Sequence, residues 1–158
     1  MTGLFGKIRR WGLTIVLVGL NSCGGGEDDA VRRMDAALEA TPVLKQYLAV
    51  QDALAGDRLD EAIAALRHLS ESAPEEVQLL VAGAEGADID SVRVLFGSIS
   101  KSLIDGKPLI DALRVARCPM AFDYQGARWI QRDGDVANPY FGARMLHCGV
   151  FVEAGTDR

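Results

Sequence analysis

The chain has 158 residues, 49% of them hydrophobic and 25% charged, with 17 Lys plus Arg against 22 Asp plus Glu, three Cys and two His. A formal charge of −5 with no basic stripe argues against nucleic-acid binding, which needs clustered Lys and Arg to neutralise phosphates. The length suits a single domain that buries its core without help from disulfides.

Residues 1–22 contain three bases, Lys7, Arg9 and Arg10, and no acid, and an apolar run from Trp11 to Leu20 follows the bases. About ten apolar residues at 1.5 Å each cannot span a hydrocarbon core of ~30 Å, so the run reads as a secretory signal. It ends in Leu20-Asn21-Ser22-Cys23, followed by Gly24-Gly25-Gly26. That pattern resembles the lipobox of bacterial lipoproteins, in which the Cys receives diacylglycerol and the chain is cut just before it. Each buried methylene of such a lipid adds about 0.8 kcal/mol of membrane affinity, so acyl chains on Cys23 would anchor the protein without a spanning helix. Gly24 rather than Asp after the Cys favours the outer over the inner membrane, by analogy with enteric sorting. Cleavage would leave about 136 residues with a formal charge of about −8.

Residues 23–29 read as the lipidated Cys and a flexible, Gly-rich tether. From residue 30 the pattern is helical. Val31, Met34 and Leu38 form a first stripe that Thr41-Pro42 interrupts, with Thr41 as N-cap and Pro42 in the first turn of the next helix. That second helix carries Leu44, Tyr47, Leu48, Gln51 and Leu54 on one face and stops at Gly56. Asp57 opens a third helix through Leu59, Ile63, Leu66 and Leu69, its Asp57, Asp60 and Glu61 serving as N-terminal helix charges. A weaker helix with Val77, Leu80 and Val81 starts at Pro74. Asp88 or Asp90 then caps a long amphipathic helix with Ile89, Val92, Phe96, Ile99 and Leu103 on one stripe, ended by Gly106 and Pro108. Gly56 to Ala62 resembles the start of a tetratricopeptide pair, but no copy recurs ~34 residues later, which argues against a solenoid.

The expected fold class is therefore mainly α: an antiparallel bundle of four to five helices over 30–150, with an irregular C-terminal Cys/Met segment that could include a short strand pair, and a tail over 151–158. That segment gathers the rare residue types. Cys118-Pro119-Met120 and Met145-Leu146-His147-Cys148 each offer a thiol and a thioether, and the second adds an imidazole. Soft sulfur donors select Cu(I), so Cys118, Met120, Met145 and Cys148, with His147 as an extra ligand, form a candidate metal set. The i, i+3 spacing of Met145 and Cys148 suits one centre if the segment is helical or a turn. The alternative is a Cys118–Cys148 disulfide, which would stabilise the fold by ~3 to 4 kcal/mol, with the two Met as core filler. Free structural thiols and a redox enzyme on the same pair are weaker alternatives, the latter lacking CxxC or an activating base.

No phosphate loop, GxGxxG, HExxH or nucleophile elbow is present, Ser98, Ser100 and Ser102 have no His/Asp context, and no catalytic residue is expected. His68 reads as a solvated helical His, and Trp129, Tyr140 and Phe141 as core aromatics that could pack around the sulfur cluster.

Four motifs in order carry a family resemblance: Cys118-Pro119-Met120-Ala121, Gly126-Ala127-x-Trp129-Ile130-Gln131, Asn138-Pro139-Tyr140-Phe141-Gly142 and Met145-Leu146-x-Cys148-Gly149. Tyr47-Leu48, Asp52-Ala53-Leu54, Arg93 to Phe96 and Ser100 agree more weakly. Over about residues 44–150 the chain resembles the family known as domain of unknown function 3347, found in secreted and lipid-anchored bacterial proteins and appended to periplasmic adaptor subunits of heavy-metal efflux pumps. The resemblance implies a metal-related role with metal efflux components as partners. It assigns no activity, gives no place to His147, and fits either use of the two thiols.

Overall fold

A computed structural model describes residues 25–39, 41–106, 110 and 112–153. The signal over 1–22, the lipidation site Cys23 and the helix stop Pro108 lie outside the described residues. Five helices come first: α1 (Gly25–Glu39), α2 (Pro42–Ala55), α3 (Leu59–Ser72), α4 (Glu75–Val81) and α5 (Ile89–Gly106). A three-stranded antiparallel sheet follows, built from β1 (Leu113–Cys118), β2 (Ala127–Arg132) and β3 (Val150–Val152), with β1 in the middle. The fold is thus mainly helical, as expected. The C-terminal segment is more regular than expected, with three strands where a pair was the most foreseen.

Helix α1 begins at Gly25, so the expected unstructured tether is helical from that residue on, and Asp29 pairs with Arg32 one turn later. Of its expected stripe, Leu38 is buried, Met34 packs against the core from its edge and Val31 is exposed. Helix α2 starts at Pro42, whose fixed φ suits a first turn, although Thr41 makes no side-chain cap bond. It buries Tyr47, Leu48, Gln51 and Leu54 as its pattern requires. Val50 and Ala53 are buried as well, so α2 is covered on more than one side and forms the centre of the helical layer. A three-residue connection folds α3 back onto it. Helix α5 buries Val92, Phe96, Ile99 and Leu103, and Asp88 caps it by accepting the Ser91 N–H at 2.8 Å.

The sheet packs onto this layer through β2, which lies against α5 and α2. Its apolar side chains Trp129 and Ile130 are fully buried, and an aromatic chain crosses the junction: Tyr47 stacks on Phe96 at 4.9 Å, and Trp129 meets Tyr140 edge-on at 5.7 Å. Burying Tyr47 raises its phenol far above the ordinary range. Its hydroxyl shares a hydrogen bond with Ser100 at 2.7 Å and accepts the Ile130 N–H at 3.1 Å, joining α2, α5 and β2. Strand β3 pairs with β1 from Arg117↔Val150 to Val115↔Val152, so the fold runs past the expected end at residue 150.

One expectation fails instructively. Asp57 does not open α3: it sits in the connection at φ +57, and α3 starts at Leu59, with Asp60 and Glu61 in its first turn. Its carboxylate instead binds the buried guanidinium of Arg93 and accepts the Ala143 N–H at 3.0 Å. Arg93 also donates to the Leu54 and Pro139 carbonyls at 3.3 and 3.0 Å and pairs with Asp90 at 3.1 Å. A Cβ on Gly142, at φ +59, would fall 1.9 Å from the Asp57 carboxylate, so this approach requires glycine.

The Ala143 N–H, and after it Arg93, hold the Asp57 carboxyl below the ordinary carboxylate range. A lowered folded pKa gives stability that is present above the unfolded value near 4 and is lost as pH falls through the folded one. Urea denaturation should show Arg93→Met costing about 3 kcal/mol at pH 7 and Asp57→Asn about 1–2 kcal/mol. The Asp57→Asn deficit should be flat from about pH 7 to 5 and shrink at lower pH; a deficit that grows on acidification contradicts the pairing.

Candidate functional site

Strand β1 delivers Cys118 at its C-terminal end, fully buried. The chain then turns through Pro119-Met120 into a single turn, α6 (Ala121–Tyr124), in which Phe122, Asp123 and Tyr124 all have positive φ, at 51°, 53° and 66°. Three successive non-glycine residues in the left-handed region cost about 1–2 kcal/mol each. The Gly126 N–H closes the turn on the Ala121 carbonyl at 2.9 Å and returns the chain into β2.

Cys148 arrives from the other side. Because Arg117 pairs with Val150, the residue two before β3 comes beside the end of β1. The two Sγ atoms lie 3.4 Å apart although 30 residues separate them in the chain, and the Met120 thioether is 4.0 Å from Cys148 Sγ. Three sulfurs therefore converge, two of them from the motif that ends β1.

Asn138 fixes the incoming segment. Fully buried, it donates from Nδ2 to the Cys148 carbonyl at 2.6 Å and accepts the Tyr140 N–H on Oδ1 at 2.8 Å. Its backbone N–H bonds the Leu146 carbonyl at 2.7 Å, and its own carbonyl accepts the Gly142 N–H at 3.1 Å. Gln131 works similarly: its Oε1 accepts Trp129 Nε1–H at 2.9 Å and the Ala137 N–H at 3.0 Å. Neither Asn138 nor Gln131 has a chemical signature in sequence. The signal that could have found them is a polar residue inside an apolar, aromatic-rich motif, where a buried amide must be fully bonded.

Among the described residues, no sulfur contact or side-chain hydrogen bond joins the remaining expected ligands to the two thiols. Met145 ends a short 3-10 turn at φ −149 and ψ 49, and its carbonyl accepts the Cys148 N–H at 3.0 Å. The segment is not a helix, so the i, i+3 spacing does not aim the Met145 thioether through helical geometry, and among the described residues no sulfur contact joins it to the pair. His147 is exposed and donates through Nδ1 to the Val136 carbonyl at 2.8 Å. His68 is exposed on α3, 3.4 Å from Glu71. Trp129 and Tyr140 are core aromatics as expected, with the Tyr140 hydroxyl donating to the Arg128 carbonyl, and Phe141 packs at the core's edge.

The hydrogen bond with Cys118, with desolvation added, raises the Cys148 thiol above its ordinary range. A raised thiol pKa is the reverse of what an activated nucleophile shows, and it requires that any metal displace a proton. Among the described residues no three His, Cys, Asp or Glu side chains gather for a metal. Any metal at this point must therefore take two thiolates and a thioether, a set that suits Cu(I) and falls short of the four ligands of a structural zinc site.

Compared with known proteins, the chain matches no family model, no curated protein and no solved structure.

Burial orders the two thiols. With the reduced protein, a maleimide should modify Cys148 first and slowly at pH 7, faster as pH rises past the ordinary thiol range near 8.5, and should reach Cys118 only with unfolding. Mass mapping that finds Cys118 modified first contradicts the arrangement.

Proposed function

We propose that the protein is a lipid-anchored, periplasm-facing envelope protein, non-enzymatic, whose domain binds a soft metal of the Cu(I) type between Cys118, Cys148 and Met120. The observation that carries this reading is the convergence of three sulfurs from two distant segments. Cys118, Cys148 and Met120 would hold such an ion through soft sulfur donors, the donor type that selects Cu(I) over hard cations. The chain's own contribution is to hold Cys118 at a strand end, hold Cys148 through Asn138, and keep the Cys148 thiol protonated until a metal displaces its proton. Met145 and His147, expected as ligands, are left out of the set.

The anchor reading rests on the Leu20-Asn21-Ser22-Cys23 motif, with the outer membrane favoured by Gly24. No helix among the described residues is long and apolar enough to cross a membrane. The motif resemblance supports metal efflux components as partners.

A Cys118–Cys148 disulfide in a structural or interaction lipoprotein is the second reading, favoured by the 3.4 Å Sγ–Sγ approach, since bond formation at about 2.05 Å needs little movement. Closing it passes two electrons and two protons to an exchanging disulfide of an envelope oxidoreductase.

Cu(I) titration of the reduced full chain in mild detergent, against a chromophoric competitor, should give one equivalent in the parent and none in Cys118→Ser or Cys148→Ser. Met120→Leu should weaken binding about tenfold, a difference of about 1.4 kcal/mol, and Met145→Leu and His147→Ala should match the parent. Equal stoichiometry in the parent and Cys148→Ser defeats the metal reading. Thiol counting on protein purified without reductant that finds no free thiol favours the staple, with Cys148→Ser then costing about 3 kcal/mol of stability. The anchor is checked separately: labelled palmitate should enter the parent and not Cys23→Ser.

A further inference from the structure

Beside the sulfur cluster, a cleft of about 670 Å³ opens between α5 and the β1–β2 connection. One face of α5 lines it with Val94, Gly97, Ser98 and Lys101, at i, i+3, i+4 and i+7. The opposite wall is Arg117 from β1, the α6 turn with Phe122, and Arg128 at the start of β2. Lys101 on the α5 side and Arg117 on the opposite wall face Asp123, while Arg128 is paired with Asp105 at 3.1 Å, so the lining carries positive charge in a chain whose net charge is −5.

Arg117 is the residue that distinguishes the cleft. It neighbours Cys118 on an alternating strand, so its side chain leaves from the opposite face to the buried thiol. The guanidinium lies across Gly126: a Cβ there would fall 2.9 Å from Nη2, and Gly126 has φ +79. Unlike Arg93, Arg114 and Arg128, Arg117 has no ion pair or side-chain hydrogen bond among the described residues. A half-buried planar fork of five donors with no acceptor among the described residues suits an oxyanion, which it can bind through two parallel hydrogen bonds.

The opposite side supplies an apolar shelf. Gly97 stands in the middle of α5, where glycine costs about 1 kcal/mol relative to alanine. A Cβ at that position would be 2.9 Å from Phe122 Cε2, so the helix gives up a side chain to let the ring lie against it. That ring is held by the strained left-handed run over Phe122–Tyr124, and strain of this kind persists where the surroundings over-determine it, as at ligand clamps.

We propose that this cleft binds a small soluble oxyanion, a carboxylate or phosphate ester with an apolar body, through Arg117 and Lys101, with the body resting on Phe122 and Val94. The volume fits a small organic molecule. The assignment is independent of the metal reading, since none of these groups is a sulfur ligand.

The test is a titration of the ¹⁵N-labelled full chain in zwitterionic detergent with phenyl phosphate, inorganic phosphate and, at matched ionic strength, sodium chloride. Phenyl phosphate should produce saturable amide shifts at Gly97, Arg117 and Gly126 in the millimolar range or below, more tightly than inorganic phosphate and with no counterpart in chloride. Arg117→Gln and, on the exposed helix face, Lys101→Ala should each weaken binding about tenfold, while Cys148→Ser should leave it unchanged. No saturation below about 10 mM, or equal binding by Arg117→Gln and the parent, overturns the proposal. Binding to vesicles containing phosphatidylglycerol that is lost in Arg117→Gln, without any response to phenyl phosphate, would assign the cleft to a lipid headgroup and overturn the soluble ligand.

Discussion

A buried cation must be paired on every side or it unfolds its surroundings, and in this protein that constraint falls on Arg93. Its guanidinium reaches the end of α2 through Leu54, the α2–α3 connection through Asp57, its own helix through Asp90 and the C-terminal loop through Pro139. Arg93 thereby joins four separate pieces of the fold. Desolvating a guanidinium costs several kcal/mol unless its donors are used, so each of these pieces is held to the others by the cost of leaving a donor empty.

The consequence for the sulfur cluster is direct. Pro139 follows Asn138, and Asn138 spends its side-chain and backbone groups on Cys148, Tyr140, Leu146 and Gly142. The bundle thus positions Pro139, the Asn138 amide positions the Cys148 carbonyl, and the antiparallel register of β3 on β1 brings the two thiols together. The Tyr47 hydroxyl does the corresponding work for the sheet, tying the Ile130 N–H of β2 to Ser100 on α5. Polar groups that cannot reach water set the geometry, while the apolar stripes supply the burial that makes those groups decisive.

The same packing explains why the wall between the two thiols and the cationic cleft is strained. β1 must end at Cys118 and β2 must begin at Ala127 in register with it, leaving a short connection that also carries Met120 toward the thiols and Phe122 toward α5. Three left-handed residues are the backbone's answer to serving both sides at once. The three sulfurs and the cleft lined by Arg117 both border this connection.

The helices were legible in the sequence because a 3.6-residue apolar period is local. The faces of α2, α3 and α5, the cap at Asp88 and the stop at Gly56 follow from neighbours a few residues apart, and the cysteine and methionine motifs were visible as soft-donor chemistry. The sequence also suggested Met145 and His147 as partners of the thiols, since spacing alone cannot tell a helix from a short turn in which His147 bonds the Val136 carbonyl. Asp57 read as a helix-end charge for the same reason: its true partner, Arg93, is 36 residues away. Which sulfurs meet, and which polar residues hold them, depends on strand register and on burial. Those are properties of the whole packed chain, and only the tertiary structure decides them.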